Sequence, residues 1–191
     1  MNKNKIKLGT YIYPLPVVIV GANVESKANF MIVAWCSVVE RTPPMISLSC
    51  DEKHYTNIGI KKNKVFSVNI PSEELVEKVD FIGTNSGNEI DKSGIFDVFF
   101  GDIKDVPMIR EAPVNMECKL IKTIQTGKGH EIFIGEVVAA YAEDRFFTES
   151  VLDITKIKPL LYSTGERKYL RIGEVIGTAF SIGKNYMKKS H

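Results

Sequence analysis

The strongest constraint on this fold is a long hairpin past the middle of the chain. Val114-Asn-Met-Glu-Cys-Lys-Leu120 alternates apolar and polar residues, the period of a half-buried antiparallel strand. Thr126-Gly-Lys-Gly129 supplies the turn, and His130-Glu-Ile-Phe-Ile-Gly-Glu-Val-Val138 returns as the partner strand. Shorter strands precede it. Val17-Val-Ile-Val20 follows Pro14-Leu-Pro16, and Gly21-Ala-Asn23 is expected to turn the chain. Asn29-Phe-Met-Ile-Val-Ala-Trp-Cys-Ser37 reads as a strand ending in small and polar residues. Pro43-Pro44 turns it into Met45-Ile-Ser-Leu-Ser-Cys50, and Val65-Phe-Ser-Val-Asn-Ile70 is a further strand closed by Pro71.

Helices are few. Ile58 to Lys64 reads as a short helix that Asp51 or Thr56 could cap. Ser72-Glu-Glu opens a second with a capping hydroxyl and early acids. Its Leu75, Val79 and Ile82 fall at helical spacing and should face the core. Tyr169-Leu-Arg-Ile172 is a last strand. Six or seven strands in hairpin order, with two or three helices and no βαβ repeat, make a mainly β protein. Closing them into a β-barrel would remove exposed edges. The 191 residues suit a single domain, residues 1–191, with a flexible tail near 178–191.

Charge narrows the function classes. Lys and Arg number 25 against 23 Asp and Glu, which leaves no basic groove for nucleic acid. Lys188-Lys189 reads as a solvated terminus. No apolar run of ~18 residues and no leader pattern is present, so no membrane role is expected. The three cysteines, Cys36, Cys50 and Cys118, form no C-x-x-C pair and lie in apolar strands. They read as reduced thiols of a cytoplasmic protein. His54, His130 and His191 lack ligand partners at zinc spacing. No nucleophile elbow, dinucleotide fingerprint or P-loop occurs.

What remains is a set of residues suited to an elongated, anionic, aromatic ligand. Thr56 and the first amides of the short helix could hold a phosphate, because those N–H groups lack partners inside the helix. His54 or Tyr55 could add a donor, and Lys92, in a glycine-bearing loop, a balancing cation. Trp35 could lie beside an aromatic ring system, with amides of Ala34 to Ser37 at its polar edge. Each also has a plainer account: Trp35 as core, His54 as an exposed residue before a helix, Lys92 as a solvated loop charge, Ser49 and Thr56 as a strand-end hydroxyl and a cap.

Taken in order, these pieces resemble a known family. Asn29, Met31 and Trp35, the Pro43-Pro44 turn, Tyr55-Thr56 with Ile60, Phe66-Ser-Val-Asn-Ile-Pro71 and Asp91-Lys92 resemble the flavin reductase-like proteins with the FMN-binding split β-barrel, and the flavoredoxin branch within them. Cys118, Ile134-Gly-Glu-Val137, Pro159-Leu-Leu-Tyr162 and Tyr169-Leu-Arg-Ile-Gly173 extend the likeness from about Gly9 to Gly177. The resemblance implies a homodimer with FMN near its interface. It places Asn29, Met31, Ala34, Trp35, Cys36 and Ser37 along the ring and ribityl chain, and Ser49, Cys50, Tyr55, Thr56 and Lys92 toward the ribityl chain and phosphate. Cys50 departs from the small residue expected there. Tyr162 and Tyr169 would close the site, from the same subunit or its partner. The implied activity passes electrons from NADH, NADPH or a redox protein through FMN to an acceptor. The implied alternative is a non-catalytic FMN store or carrier. The chemistry would be the flavin's, which accords with the lack of an acid–base pair.

Overall fold

A computed structural model of the chain describes residues 1–184 and 186. In chain order its strands are β1 (Leu15–Pro16), β2 (Val18–Val24), β3 (Lys27–Val33), β4 (Cys36–Arg41), β5 (Pro44–Asp51), β6 (Val65–Ile70), β7 (Val98–Phe99), β8 (Met108–Ile109), β9 (Val114–Gln125), β10 (His130–Ala142), β11 (Phe147–Thr148), β12 (Val151–Leu152), β13 (Leu161–Ser163) and β14 (Lys168–Leu170). The helices are α1 (Thr56–Asn63), α2 (Val76–Thr84) and α3 (Ile154–Ile157).

Seven strands form one antiparallel sheet in the order β3-β2-β6-β9-β10-β5-β4. The expected central hairpin is its spine: β9 and β10 pair from Val114↔Ala142 to Gln125↔Glu131. The sheet curls until edge strand β3 meets β5, the neighbour of the other edge, through side chains. Met31 and Val33 of β3 share one core with Ile46, Leu48 and Cys50 of β5, Phe133 of β10, and Phe66 and Val68 of β6. Ile60 of α1 belongs to the same core. The ladder itself does not close, because β3 and β4 are both edges although only Ala34 and Trp35 separate them in sequence. This is a split barrel.

A second core lies outside the barrel. Val17 and Ile19 beside and in β2 and Phe30 of β3 pack there against Val79 and Ile82 of α2, with Leu75, Phe96 and Ile109. Val18, Val20 and Ala22 face the inner core. Strand β2 is thus buried on both faces, which explains its unbroken apolar run. Leu75, Val79 and Ile82 face this core as their spacing predicts.

Several local expectations change. Gly21 to Asn23 do not turn; they lie inside β2. A Cβ on Gly21 would fall 2.6 Å from Pro107 O and from Ser67 Oγ, so this glycine permits close packing in a strand. The turn is Glu25-Ser26, with φ of 50° and 67°, a left-handed pair suited to a two-residue hairpin. Helix α1 begins at Thr56, and neither Thr56 nor Asp51 caps it: Asp51 Oδ1 accepts from Lys53 N instead. Ser72 makes no side-chain cap, and a single 3₁₀ turn at Glu73–Leu75 precedes α2. The polar face of β9 is not solvated where β9 begins. Asn115 Nδ2 donates to Asn69 Oδ1 and Ile109 O, and Glu117 accepts from the amides of Asp102 and Ile103, so polar side chains pair with a loop that covers them. The last strand is Lys168–Leu170. Thr178 to Lys184 form hydrogen-bonded turns. Lys188-Lys189, His191 and the end of the expected tail lie outside the described residues. No helix among the described residues is long and apolar enough to cross a membrane.

Candidate functional site

Period-2 alternation on β5 lays out the site. Ile46, Leu48 and Cys50 point into the barrel, while Ser47, Ser49 and Asp51 share the opposite face. Ser47 lines a cavity of about 270 Å³ at one end, and Asp51 lines another of about 380 Å³ at the other. Ser47 and Asp51 are four residues apart, a span of about 13 Å at ~3.3 Å per residue. Ser49 lies between them. The Cys50 thiol faces the core, so Cys50 can meet a ligand on this face only through its backbone.

The 380 Å³ cavity is the polar end. It gathers Asn29, Met31, His54, Tyr55, Thr56 and Lys92, six of the expected residues, with Asp51, Lys53, the last turn of α2 and the loop 85–87 that follows it. Asn29 and Met31 reach it from β3, and Asn29 Nδ2 donates to Thr56 Oγ1 at 2.7 Å, tying β3 to the start of α1. The amides of Tyr55 and Thr56 have no acceptor among the described residues, as a helix start leaves them. Asn57, buried behind them, donates to Asp51 O and to Glu131 Oε1, and Lys61 Nζ completes the contact with Glu131 at 2.9 Å. This network fixes α1 against β10.

Lys92 is not a solvated loop charge. It is 4% exposed, and its Nζ donates to Ile82 O at 2.8 Å and Phe30 O at 3.1 Å. Among the described residues no carboxylate lies within 4.0 Å of this ammonium. An ammonium has three donors, so one remains for the cavity. Burial pushes the Lys92 pKa down to about 8. Burial also lowers that of His54; Asp51 opposes this, and Lys92 and His130 add to it.

The 270 Å³ cavity is the apolar end, lined by Thr10, Ile12, Leu15, Ser47 and the run Ala34, Trp35, Cys36 and Ser37. Trp35 is 42% exposed and so is not core; it stacks on His130 with ring centroids 5.0 Å apart. Ser49 N donates to Trp35 O. In an antiparallel ladder that alternation turns the Cys36 amide outward to the open edge and the Ser37 amide toward β5. The Cys36 thiol is pushed up to about 11 by burial and Cys50 to about 12, with Cys118 higher still, so all three are neutral thiols near pH 7. Tyr162 and Tyr169 lie elsewhere: they pack together at 5.8 Å against the outer core, and Tyr169 Oη donates to Asp80 of α2. Neither lines these two cavities.

Sequence reasoning missed Ser47 and Asp51, which the alternation of β5 could have supplied. It also missed Gly87. A Cβ there would fall 2.1 Å from Asn29 Oδ1 and 2.8 Å from Tyr55, so only a glycine lets the loop press on the polar end. Nothing local marked Gly87 apart from the other loop glycines.

The model of the flavin reductase like domain matches residues 10–171. The flavoredoxin of Methanosarcina acetivorans superimposes with a TM-score of 0.94 at 41% identity, covering 98% of this chain and 100% of that one. The flavoredoxin of Desulfovibrio vulgaris (Miyazaki F) gives 0.89 at 31% identity, with 96% and 100% covered. An FMN-binding protein of Thermus thermophilus, solved with p-hydroxybenzaldehyde, gives 0.78 at 26% identity, with 93% and 99% covered. A relative from Aeropyrum pernix is 28% identical over 79% of this chain, which spans 58% of that protein's length. A domain match over most of the chain and a near-complete overlap with two flavoredoxins lead to one conclusion: this chain belongs to the flavin reductase like family, on its flavoredoxin branch.

Proposed function

We propose that this chain is an FMN-binding redox flavoprotein that passes electrons from NADH, NADPH or a protein donor through FMN to an acceptor. The observation that carries the reading is Lys92. A buried ammonium with no carboxylate partner among the described residues, a free donor and a depressed pKa calls for an anion beside it. The amides of Tyr55 and Thr56 line the same cavity, and helix starts favour phosphate. The about 13 Å from there to the apolar end suits a phosphate and a ring system joined by a ribityl chain.

When bound, FMN supplies the redox chemistry. The chain's residues bind and orient. Lys92, Thr56 and the α1 amides would hold the phosphate, with Asn29 fixing Thr56. Ser49 would face the ribityl chain. The outward Cys36 amide would donate to the polar edge of the ring. On this reading Cys36 meets the flavin through that amide, not through its thiol. The exposed Val38 and Val39 of edge strand β4 and Ile6, Leu8, Tyr11 and Ile12 of the N-terminal arm support a homodimer joined at the ring end. Three free thiols support a reducing compartment such as the cytoplasm.

The test is the visible spectrum of the purified protein, before and after anaerobic NADH or NADPH. A yellow protein that bleaches is the expected result. A yellow protein inert to both nicotinamides points to a protein donor or to the carrier role. A colourless protein that takes up no FMN overturns the reading.

A further inference from the structure

Lys92 has a chemistry that holding an anion does not use. Its Nζ donates to Ile82 O of α2 at 2.8 Å and to Phe30 O of β3 at 3.1 Å. The same two carbonyls accept both N–H groups of a neutral amine. The lone pair is then left at the third position, the one that remains for the 380 Å³ cavity that Lys92 lines. Among the described residues no carboxylate within 4.0 Å favours the charged form. Asp91, next in the chain, is engaged by Lys27, with Nζ 2.7 Å from its Oδ2. With the pKa lowered by burial to about 8, about a tenth of chains carry the neutral amine at pH 7. A lysine at the ordinary value of 10.5 would be neutral in about one chain in 3,000.

A nucleophile also needs its electrophile held beside it. The same cavity presents the amides of Tyr55 and Thr56, which have no acceptor among the described residues. A phosphate group suits them. A small aldehyde that carries a phosphate would be seated by its anion in the space that Lys92 lines. Desolvated lysines are the ones that form Schiff bases with carbonyl compounds. The step balances without any electron donor or acceptor. The Nζ lone pair attacks the carbonyl carbon and a C–N bond forms. The C–O bond then breaks as C=N forms, and the oxygen leaves as water with the two amine hydrogens. A proton taken up from solvent restores one N–H to the imine, enough for the shorter bond to Ile82 O.

We propose that Lys92 of the flavin-free chain is a modification site: its amine forms an imine with a small phosphorylated aldehyde seated on the α1 amides, and bound FMN closes the site. The closure rests on the FMN reading; the reactivity rests on the cavity and on the two carbonyls that hold Nζ.

The test is incubation of the full chain, stripped of flavin, with pyridoxal 5′-phosphate, then borohydride reduction and peptide mapping by mass. Lys92 is expected to take the label at least about tenfold faster than Lys53, which borders the same cavity. Pyridoxal, which lacks the phosphate, should label Lys92 about tenfold more slowly. Saturating FMN should slow the labelling of Lys92 at least about tenfold. Lys92→Arg keeps the charge without the nucleophile, so it should lose this label and still bind FMN within about tenfold of the unaltered chain. Labelling of Lys92 no faster than of Lys53, in a chain that binds FMN by fluorescence titration, overturns the proposal and leaves the FMN reading standing. Equal rates for pyridoxal and its phosphate overturn the phosphate seat and the proposal with it. Fast labelling of Lys92 in a chain that binds no FMN overturns the FMN reading and the closure, and supports the reactive amine.

Discussion

The two ends of the groove are built by different means. At the polar end, buried side chains hold one another in place: Asn29 on Thr56, Lys92 on two carbonyls, Asn57 on Glu131. At the apolar end, the wall is an edge strand with an exposed Trp35, an outward amide and an N-terminal arm lying across it. The first end is preorganised and demands an anion. The second is open and depends on what covers it. Affinity should therefore reside at the polar end, and choice of electron partner at the apolar end.

The sharpest way to break this comparison is Lys92→Met. Charge-assisted hydrogen bonds contribute roughly 1.5–3 kcal/mol, so FMN should bind about tenfold to a hundredfold more weakly in fluorescence titration. Riboflavin, which lacks the phosphate, should change by less than about threefold. Equal losses for both would mean that the loop, not the charge, had been damaged.

Next in size is Gly87→Ala. The new methyl must displace Asn29 or the loop, and overpacking costs about 1–3 kcal/mol. FMN affinity should fall about tenfold, by the same titration. An unchanged value would show that the loop swings freely away from Asn29.

A third test uses pH. With Lys92 near 8, its proton is lost from the free protein between pH 7 and 9. The ratio of FMN to riboflavin affinity should fall up to about tenfold across that window. The sign for stability is opposite. The unfolded chain keeps this proton up to its ordinary value of 10.5, so on this group alone the ligand-free protein gains stability as pH rises from about 8 toward 10.5. Urea midpoints at pH 8 and 10 would measure it.

The smallest effects should come from the apolar end. Cys36→Ser keeps the backbone amide and should alter FMN affinity by less than about threefold, with any NADH bleaching intact. Trp35→Phe should do the same, because the indole is half exposed and its stack on His130 contributes only about 0.5–1.5 kcal/mol. Loss of bleaching in Cys36→Ser with flavin still bound would move redox chemistry onto the thiol and reverse the comparison.

Much of the fold could be read from short-range pattern. The β9–β10 hairpin, the doubly buried β2 and the inward face of α2 each follow from spacing within one segment. The turn at Glu25-Ser26 could not, because its residues carry no turn signature and Gly21 nearby carried a false one. At the site, the helix start at Tyr55-Thr56 and the lysine at 92 could be picked out as types. The burial of Lys92 could not, since its carbonyl partners come from Phe30 and Ile82, 62 and 10 residues away.

By itself, then, the amino-acid order determined where the main strands lie, which of their faces are apolar, and the ordered residues that mark the family. Those properties depend on neighbours two to four positions apart. Only the tertiary structure decided that Lys92 is buried with no carboxylate beside it among the described residues, that Trp35 lies at an open edge, and that Gly87 presses against Asn29 and Tyr55. The reason is physical: periodicity says which way a side chain points, while its environment is set by whatever distant segment packs against it.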